Sequence, residues 1–182
     1  MVFDHSGNLY VSTQPHAVSV YAPTKRPGYM SLGRQIRDGI QHAVALAIGP
    51  PDELFVGNYS GKGDGYVTVY PRGGSKPRLI LTKGIVAINA LAVDSKGWLY
   101  VAIPNYRVPS GWVSVYAPEG TEPVRKLRIF DPKAFAIDPS DNLYVLSPNP
   151  NSVFVYSPGA TKLLRKITNG VNVASGLAIG SP

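Results

Sequence analysis

The stretch AFAIDPSDNLYVLSPNPNSVFVYSPGATKLLRKI, from Ala134 to Ile167, is one complete copy of a unit that the rest of the chain repeats. It contains four short runs rich in apolar and β-branched residues, at 134–137, 142–146, 152–156 and 162–167. Turn-forming residues (Asp, Pro, Ser, Asn and Gly) separate these runs. Short runs bounded in this way are typical of β-strands, and a pair joined by a tight turn is typical of a hairpin. The unit is therefore predicted to be a four-stranded antiparallel sheet.

The unit recurs at a nearly constant spacing along the chain. The leucine of the second run appears at Leu9, Leu54, Leu99 and Leu143, at intervals of 45, 45 and 44 residues. The third run has the pattern Val-x-Val-Tyr in every copy, and it ends at Tyr21, Tyr70, Tyr116 and Tyr156. Four short strands per unit at this period predict the blades of a β-propeller, an all-β fold.

The repeats predict a single domain, 1–182, whose blades span approximately 1–41, 42–86, 87–131 and 132–174. Residues 175–179 are then a fifth copy of the first, innermost strand. Four blades plus one strand predict either a portion of a six-bladed ring or a ring completed by another copy of the chain. An open arc would expose apolar blade faces, which favours homo-oligomer formation.

Composition agrees with an all-β chain. The 182 residues include 19 Gly, 17 Pro and 11 Tyr, 16% are charged, and no long apolar pattern of helical period occurs. There is no cysteine, which excludes disulfides and thiolate metal sites. No apolar run approaches the roughly 20 residues needed to span a bilayer. No export signal opens the sequence, so the compartment stays unknown from these residues.

The recurrent pattern Leu-Ala-Ile-Asp-Pro-Ser-x-Asn-Leu-Tyr-Val, followed by Val-x-Val-Tyr-x-Pro, resembles the NHL-type repeat of six-bladed propellers. These propellers are related in shape to the SMP-30/gluconolactonase and virginiamycin B lyase groups. The resemblance covers essentially the whole chain and implies a fold, with the first strand innermost. It leaves an exported or cell-envelope location open.

A binding site is expected at the mouth of the central channel, where the loops after the second strands meet the segments before the first strands. Loop amides would bind a ligand by hydrogen bonds, and tyrosines would supply apolar walls. This set of ligand-binding candidates is Asn58, Tyr59, Asn105, Tyr106, Asn149, His42, Asn89 and Asp131.

Enzymatic chemistry is the alternative that the resemblance raises. The gluconolactonase-like enzymes hold a divalent metal with Glu, Asn and Asp ligands, because hard cations bind several oxygen atoms. The mouth here offers one carboxylate candidate, Asp131, with Asp64 farther out in a loop. The lyase group uses catalytic histidines, yet His5, His16 and His42 occupy three different repeat positions, with His5 on the opposite face. We therefore assign no catalytic or metal residue and expect no cofactor, with a divalent cation kept as the alternative.

Two other motifs have simpler explanations than catalysis. Asp4, Asp94 and Asp138 recur after the first strand, and their place in the hairpin turn predicts turn capping. The glycine-rich stretch 60–65 lacks the spacing and the Gly-Lys-Ser/Thr ending of a phosphate-binding loop, and is predicted to be a hairpin loop.

The formal net charge of +7 raises the question of a nucleic-acid partner. Thirteen of the 18 Lys and Arg residues fall in or beside the fourth strands, which form the outer blade edges. Charged edges prevent sheets from pairing edge to edge, which explains this charge without a ligand. Most tyrosines lie at repeat positions, leaving too few in loops for a base-stacking platform. The sequence thus predicts a non-catalytic binding or scaffold module with a protein or small-molecule ligand; the alternatives are a metal-dependent lactonase or lyase and an assembly protein that uses its outer rim.

Overall fold

A computed structural model describes residues 1–13, 16–61, 64–104, 111–172 and 174–179. The chain forms a β-propeller of four four-stranded antiparallel sheets, each in the order in which its strands occur in the sequence. Blade 1 contains β1 (Val2–Phe3), β2 (Leu9–Thr13), β3 (Ala17–Pro23) and β4 (Met30–Ile36). Blade 2 contains β5 (Ala43–Gly49), β6 (Glu53–Tyr59), β7 (Gly65–Tyr70) and β8 (Leu79–Leu81). Blade 3 contains β9 (Ala90–Val93), β10 (Leu99–Ile103), β11 (Trp112–Tyr116) and β12 (Pro123–Arg128). Blade 4 contains β13 (Ala134–Ile137), β14 (Leu143–Pro148), β15 (Asn151–Tyr156) and β16 (Leu163–Ile167).

The predicted four-stranded unit is therefore confirmed. The only helical segment among the described residues is a 3-10 turn at Pro158–Ala160. No helix in this part of the chain has the length and apolar character needed to span a membrane. The first strand of each blade lies innermost and packs beside the preceding blade: β5 contacts β1 and β2, β9 contacts β5, and β13 contacts β9. The fourth strand lies outermost, as expected.

The core lies between the blades. Alternate residues of the second and third strands point to opposite faces of a sheet, so one set contacts the preceding blade and the other contacts the next. Tyr10, Val18 and Val20 of blade 1 thus pack against Leu54 and Val56 of blade 2. A similar cluster joins blades 2 and 3, and another joins blades 3 and 4. Each buried side chain of this size stabilises the fold by about 1.5–3 kcal/mol.

The face of blade 1 that carries Leu9 and Val11 is more exposed than the equivalent faces of the other three blades. Leu9 and Val11 are half-buried. The leucines and valines at the same positions in blades 2 to 4 are at most 2% exposed: Leu54, Leu99, Leu143, Val56, Val101 and Val145. No apolar cluster among the described residues joins blade 4 to blade 1. The four blades form an open arc.

The predicted fifth inner strand, 175–179, is not formed. The other inner strands are held by ladder hydrogen bonds to the second strand of their own blade, and residues 174–179 have no such pairing in the described chain. Val171, Ala174 and Leu177 nevertheless pack on blade 4 against Val153 and Val155. The segment thus packs on blade 4 through apolar side chains.

The open arc predicts that the same substitution has different effects at two equivalent leucines, Leu9 and Leu99. Leu99→Ala should lower the free energy of unfolding by about 2–5 kcal/mol, because it leaves a cavity between two blades. Leu9→Ala should cost about 1 kcal/mol or less, because its side chain already contacts water. Urea denaturation of both variants measures the difference. An equal loss of stability in the two variants would contradict the open arc.

Candidate functional site

In blades 2 and 4 the end of the second strand lies beside the segment that leads into the first strand. The backbone N–H of Tyr59, at the end of β6, donates to the carbonyl of His42, just before β5, at 3.0 Å. In blade 4 the hydroxyl of Ser147 donates to the carbonyl of Phe130. Because the same two kinds of loop are joined in both blades, we name this side the mouth face. It consists of the loops between second and third strands and those that lead into each first strand.

Asn58 is in the predicted place, but its amide is used within the protein. The side chain is fully buried. Its Nδ2 donates to the carbonyl of Val56 at 3.0 Å and to Thr68 Oγ1 at 3.1 Å, and its Oδ1 accepts from the backbone N–H of Gln41 at 3.3 Å. Asn58 therefore braces the junction of blades 1 and 2 instead of presenting an amide to a ligand.

An open cleft lies beside Asn58 on the mouth face, between blades 1 and 2. Tyr59 and His42 line it together with Gln41 and His16. The phenol of Tyr59 is on a strand end and the residue is 40% exposed. The ring of His16 contacts the carbonyl of Gln41 through Nδ1, which ties the blade 1 loop to the segment entering blade 2. The cleft offers one aromatic surface and several uncharged or weakly basic hydrogen-bonding groups.

The other candidates lie on the mouth face farther along the arc. Asn89 is half-buried and its Nδ2 donates to the carbonyl of Pro132 at 3.0 Å, which places it next to Asp131. Asp131 is half-buried with a backbone φ of 47°. Asn149 is exposed, and its carbonyl accepts from Ser147 Oγ at 3.0 Å. The structure does not bring these three residues to the cleft of Tyr59.

Two candidates, Asn105 and Tyr106, lie outside the described residues. Within the described ranges no group of three or more His, Asp or Glu side chains comes close enough to hold a metal ion. Asp131 therefore has no carboxylate or imidazole cluster around it in that part of the chain.

The opposite side, which we name the turn face, contains the hairpin turns between first and second strands and the loops between third and fourth strands. Asp4 shows the turn capping predicted from sequence: its Oδ1 accepts from the backbone N–H of Ser6 at 3.0 Å and of Asn8 at 2.8 Å. Its Oδ2 accepts from the hydroxyl of Tyr10 at 3.1 Å. Asp94 and Asp138 repeat the arrangement in blades 3 and 4.

These hydrogen bonds set the direction in which the pKa values of Asp4 and Asp138 are shifted. Burial opposes the charge of Asp4, but the hydrogen bonds from Asn8, Tyr10 and Ser6 outweigh it and lower its pKa. The same balance lowers the pKa of Asp138, where the hydrogen bonds come from Asn142, Ser140 and Tyr144. A carboxylate held in its ionised form by its own turn is a structural group, not a general acid.

Sequence analysis missed that an arginine of the fourth strand completes this network. Arg34 interacts with the hydroxyl of Tyr10 and donates to the carbonyl of Gly73 in blade 2. Arg125 in the same position of blade 3 donates to the carbonyl of Gly159 in blade 4 at 2.6 Å. These arginines join neighbouring blades. The available signal was that Asp, Tyr and Arg recur at fixed repeat positions in blades 1, 3 and 4.

Blade 2 replaces the whole network at once. Gly49, Phe55 and Leu79 stand where the other blades have Asp, Tyr and Arg. A Cβ atom at Gly49 would lie 2.6 Å from the side chain of Val93 in blade 3, so the space of the aspartate is filled by the neighbouring blade. Blade 2 therefore has apolar packing at the positions where the other blades have the polar network.

A second set of polar contacts also crosses between blades on the turn face. The backbone N–H of His5 donates to Asp52 Oδ1 at 3.1 Å, and the backbone N–H of Ser95 donates to Asp141 Oδ1 at 2.9 Å. The hydrogen bonds from His5 lower the pKa of Asp52. His5 thus lies opposite the mouth, as expected, and has a structural partner.

Several basic residues of the outer strands and their flanks have partners in their own blade or in the next one. The ammonium of Lys126 lies 3.8 Å from the centre of the Trp112 ring, and that of Lys166 lies 5.3 Å from the centre of the Phe154 ring. Arg78 forms ion pairs with Glu53 and with Glu119 of the next blade. Much of the charge on the outer edges therefore serves packing and inter-blade contacts.

Comparison with known proteins agrees with this architecture. No protein-family model matches the chain, and no curated protein matches its sequence. Among solved structures, it is similar to a chain in the crystal structure of Mitotic Checkpoint Complex, with a TM-score of 0.70 at 16% sequence identity. The match covers 93% of this chain and 50% of that chain. At this identity the likeness supports the β-propeller fold alone.

The lowered pKa values of Asp4 and Asp138 predict acid sensitivity. A carboxyl whose folded pKa lies below its ordinary value of 3.8 stabilises the fold above that pH, and this stabilisation is lost as the pH falls through the folded pKa. Asp4→Asn should therefore lower the free energy of unfolding by about 1–3 kcal/mol at pH 7, with the difference from wild type shrinking below about pH 4. Urea denaturation from pH 7 to pH 3 measures it. Asp38→Asn, at an exposed position, is the control, and a pH-independent cost at Asp4 would contradict the explanation.

Proposed function

We propose that the chain is a non-catalytic, NHL-type propeller module that binds a protein segment on its mouth face. The observation that carries the proposal is the cleft between blades 1 and 2. It combines the exposed ring of Tyr59 with His42, Gln41 and His16 on a base held by the buried Asn58. Tyrosine is enriched among the residues that contribute most to protein interfaces, because its ring buries a large area at a small cost in conformational entropy.

The polarity of the cleft suits a peptide backbone. Gln41 carries both amide donors and an amide acceptor, and an imidazole carries a donor and an acceptor in its neutral form. An extended peptide presents alternating N–H and C=O groups together with apolar side chains. Of the described residues that line the cleft, none is an acidic residue, a lysine or an arginine, so hydrogen bonds and the Tyr59 ring would select the ligand.

A propeller of this fold is found within a complex, because the solved chain that this arc resembles was crystallised as part of one. Propellers commonly bind other macromolecules through loops on one face of a rigid sheet scaffold, because such loops vary without disturbing the core.

The alternative, a metal-dependent lactonase or lyase, requires several oxygen or nitrogen ligands at one point. In the described ranges Asp131 is accompanied on the mouth face by amides, and no observation favours this alternative. A melting temperature that rises with Ca²⁺ or Mg²⁺ in the wild type but not in Asp131→Ala would support the enzyme instead.

The proposal is tested with peptides selected from a random library displayed on phage. The tightest selected peptides are synthesised, and their dissociation constants are measured by calorimetry. Tyr59→Ala should weaken binding about tenfold or more, the effect of removing an interface hot spot. The matched control is Tyr29→Ala, because Tyr29 is 54% exposed on the turn face.

Both variants should unfold at the same temperature as the wild type, since neither side chain is buried. Peptides that bind the wild type and Tyr59→Ala equally would contradict the proposal. Peptides that lose affinity only for Tyr29→Ala would place binding on the turn face and would contradict it as well.

A further inference from the structure

The interface between blades 2 and 3 contains a cavity on the turn face, with a volume of about 120 Å³. Its base is formed by residues of the core cluster between these two blades: Phe55, Leu79, Leu81, Leu99 and Tyr116. Its rim is formed by charged residues that are more exposed: Glu53, Arg78, Lys96 and Glu119. The cavity is therefore apolar inside and charged at its entrance.

The cavity exists because blade 2 has a leucine where blades 1 and 3 have an arginine. Leu79 of β8 stands at the repeat position of Arg34 and Arg125. Those two arginines cross to a backbone carbonyl of the following blade, that of Gly73 or that of Gly159. Leu79 instead ends in the core cluster. The place that an arginine side chain occupies in the other two interfaces is thus left open between blades 2 and 3.

The interface between blades 3 and 4 shows what the equivalent place accepts. Trp98, directly before β10, packs over Gly159 of blade 4, since a Cβ atom at Gly159 would lie 3.3 Å from Cε2 of the indole. The guanidinium carbon of Arg125 lies 5.1 Å from the centre of the Trp98 ring. Glu53 and Glu119 stand at the repeat positions of Trp98 and Gly159. This place in the propeller therefore accommodates an aromatic ring beside a guanidinium group.

The rim of the cavity supplies a guanidinium group that is already fixed. Nη1 and Nη2 of Arg78 donate to the carboxylate of Glu119 at 2.7 and 2.8 Å, and Nη2 also donates to Glu53 Oε2 at 2.6 Å. Glu119 has a backbone φ of 60°, at the position where blades 2 and 4 have glycine. A fixed guanidinium covers the face of a ring at little cost in conformational entropy, and a carboxylate accepts a hydrogen bond from the edge of that ring.

We propose that this cavity binds a phenol group, a single aromatic ring that carries a hydrogen-bond donor. The ring lies on the apolar base, Arg78 covers its face, and Glu53 or Glu119 accepts a hydrogen bond from its hydroxyl. Apolar cavities of about 150 Å³ bind benzene, so a cavity of about 120 Å³ that opens to solvent suits one ring. The site is separate from the mouth cleft, which lies on the opposite face between blades 1 and 2.

Titration of the wild-type protein with phenol, followed by amide NMR chemical shifts, tests the site. The shifts should saturate and should include those of Gly97 and Gly120, which line the cavity. Toluene has the same shape without the donor, and it should bind about tenfold more weakly, the effect of losing one hydrogen bond to a charged group. Shifts that do not saturate, shifts confined to the mouth cleft, or equal affinity for toluene and phenol overturn the proposal.

Two substitutions in β8 provide matched variants. Leu79→Arg introduces the arginine of the equivalent strands and fills the cavity, so it should abolish phenol binding. Ile80→Arg is the control, because Ile80 is 52% exposed and successive residues of a strand point to opposite sides. It should bind phenol as the wild type does. Unchanged phenol binding in Leu79→Arg overturns the proposal.

A second pair of variants does not depend on the folding of Leu79→Arg. Glu53→Trp introduces the residue that stands at this repeat position in blade 3, and its ring should exclude phenol. Asn142→Trp, at the same repeat position in blade 4, is the control and should leave phenol binding unchanged. Phenol binding that is retained in Glu53→Trp overturns the proposal.

Acetyltyrosine amide distinguishes two sources of the phenol group. An affinity at least equal to that of phenol indicates a tyrosine side chain of another protein, because the capped backbone is then accommodated at the rim. Weaker binding than that of phenol indicates a free small molecule.

Discussion

The structure depends on apolar contact between the faces of neighbouring blades. A single four-stranded sheet from this chain has two apolar faces, one carrying residues such as Leu99 and Val101 and the other carrying residues such as Val113 and Val115. Neither face can be buried within the blade that bears it. Stability therefore comes from stacking, and each blade is stable only in the presence of another. Leu9 and Val11 are only half-buried, because no other blade among the described residues covers their face.

The polar residues of the turn face follow the same logic. Asp4 would be costly near the core without donors, but the turn it belongs to supplies N–H groups and Tyr10 supplies a hydroxyl. Arg34 then extends the network to the next blade. In blade 2 the aspartate and the tyrosine hydroxyl are both absent, at Gly49 and Phe55. Losing only one of them would leave the other partner buried with a hydrogen bond unmade, which costs more than replacing both.

The mouth face differs because it leaves an aromatic side chain, that of Tyr59, exposed to solvent. The side-chain amide of Asn58 is hydrogen-bonded within the protein, whereas the side chain of Tyr59, the next residue, lines the cleft. Successive residues of a strand point to opposite sides, so one side chain can be part of the core while its neighbour faces solvent. A rigid base of this kind holds an exposed aromatic ring in place, which reduces the entropy lost when a ligand binds.

The sequence by itself determined the strands, the blades and the division into two faces, because these depend on local patterns. The Val-x-Val-Tyr run and the turn that begins with Asp138 act within a few residues, and the 45-residue spacing repeats them. Tertiary structure alone decided the burial of Asn58, the role of Arg34 as a link between blades, and the absence of a strand at 175–179. Each of these depends on groups far apart in the chain: the amide of Asn58 meets Gln41, the guanidinium of Arg34 meets Gly73, and an inner strand needs the edge of a second strand. Local pattern specifies which residues can form a strand, and only packing specifies what each side chain and each strand edge will meet.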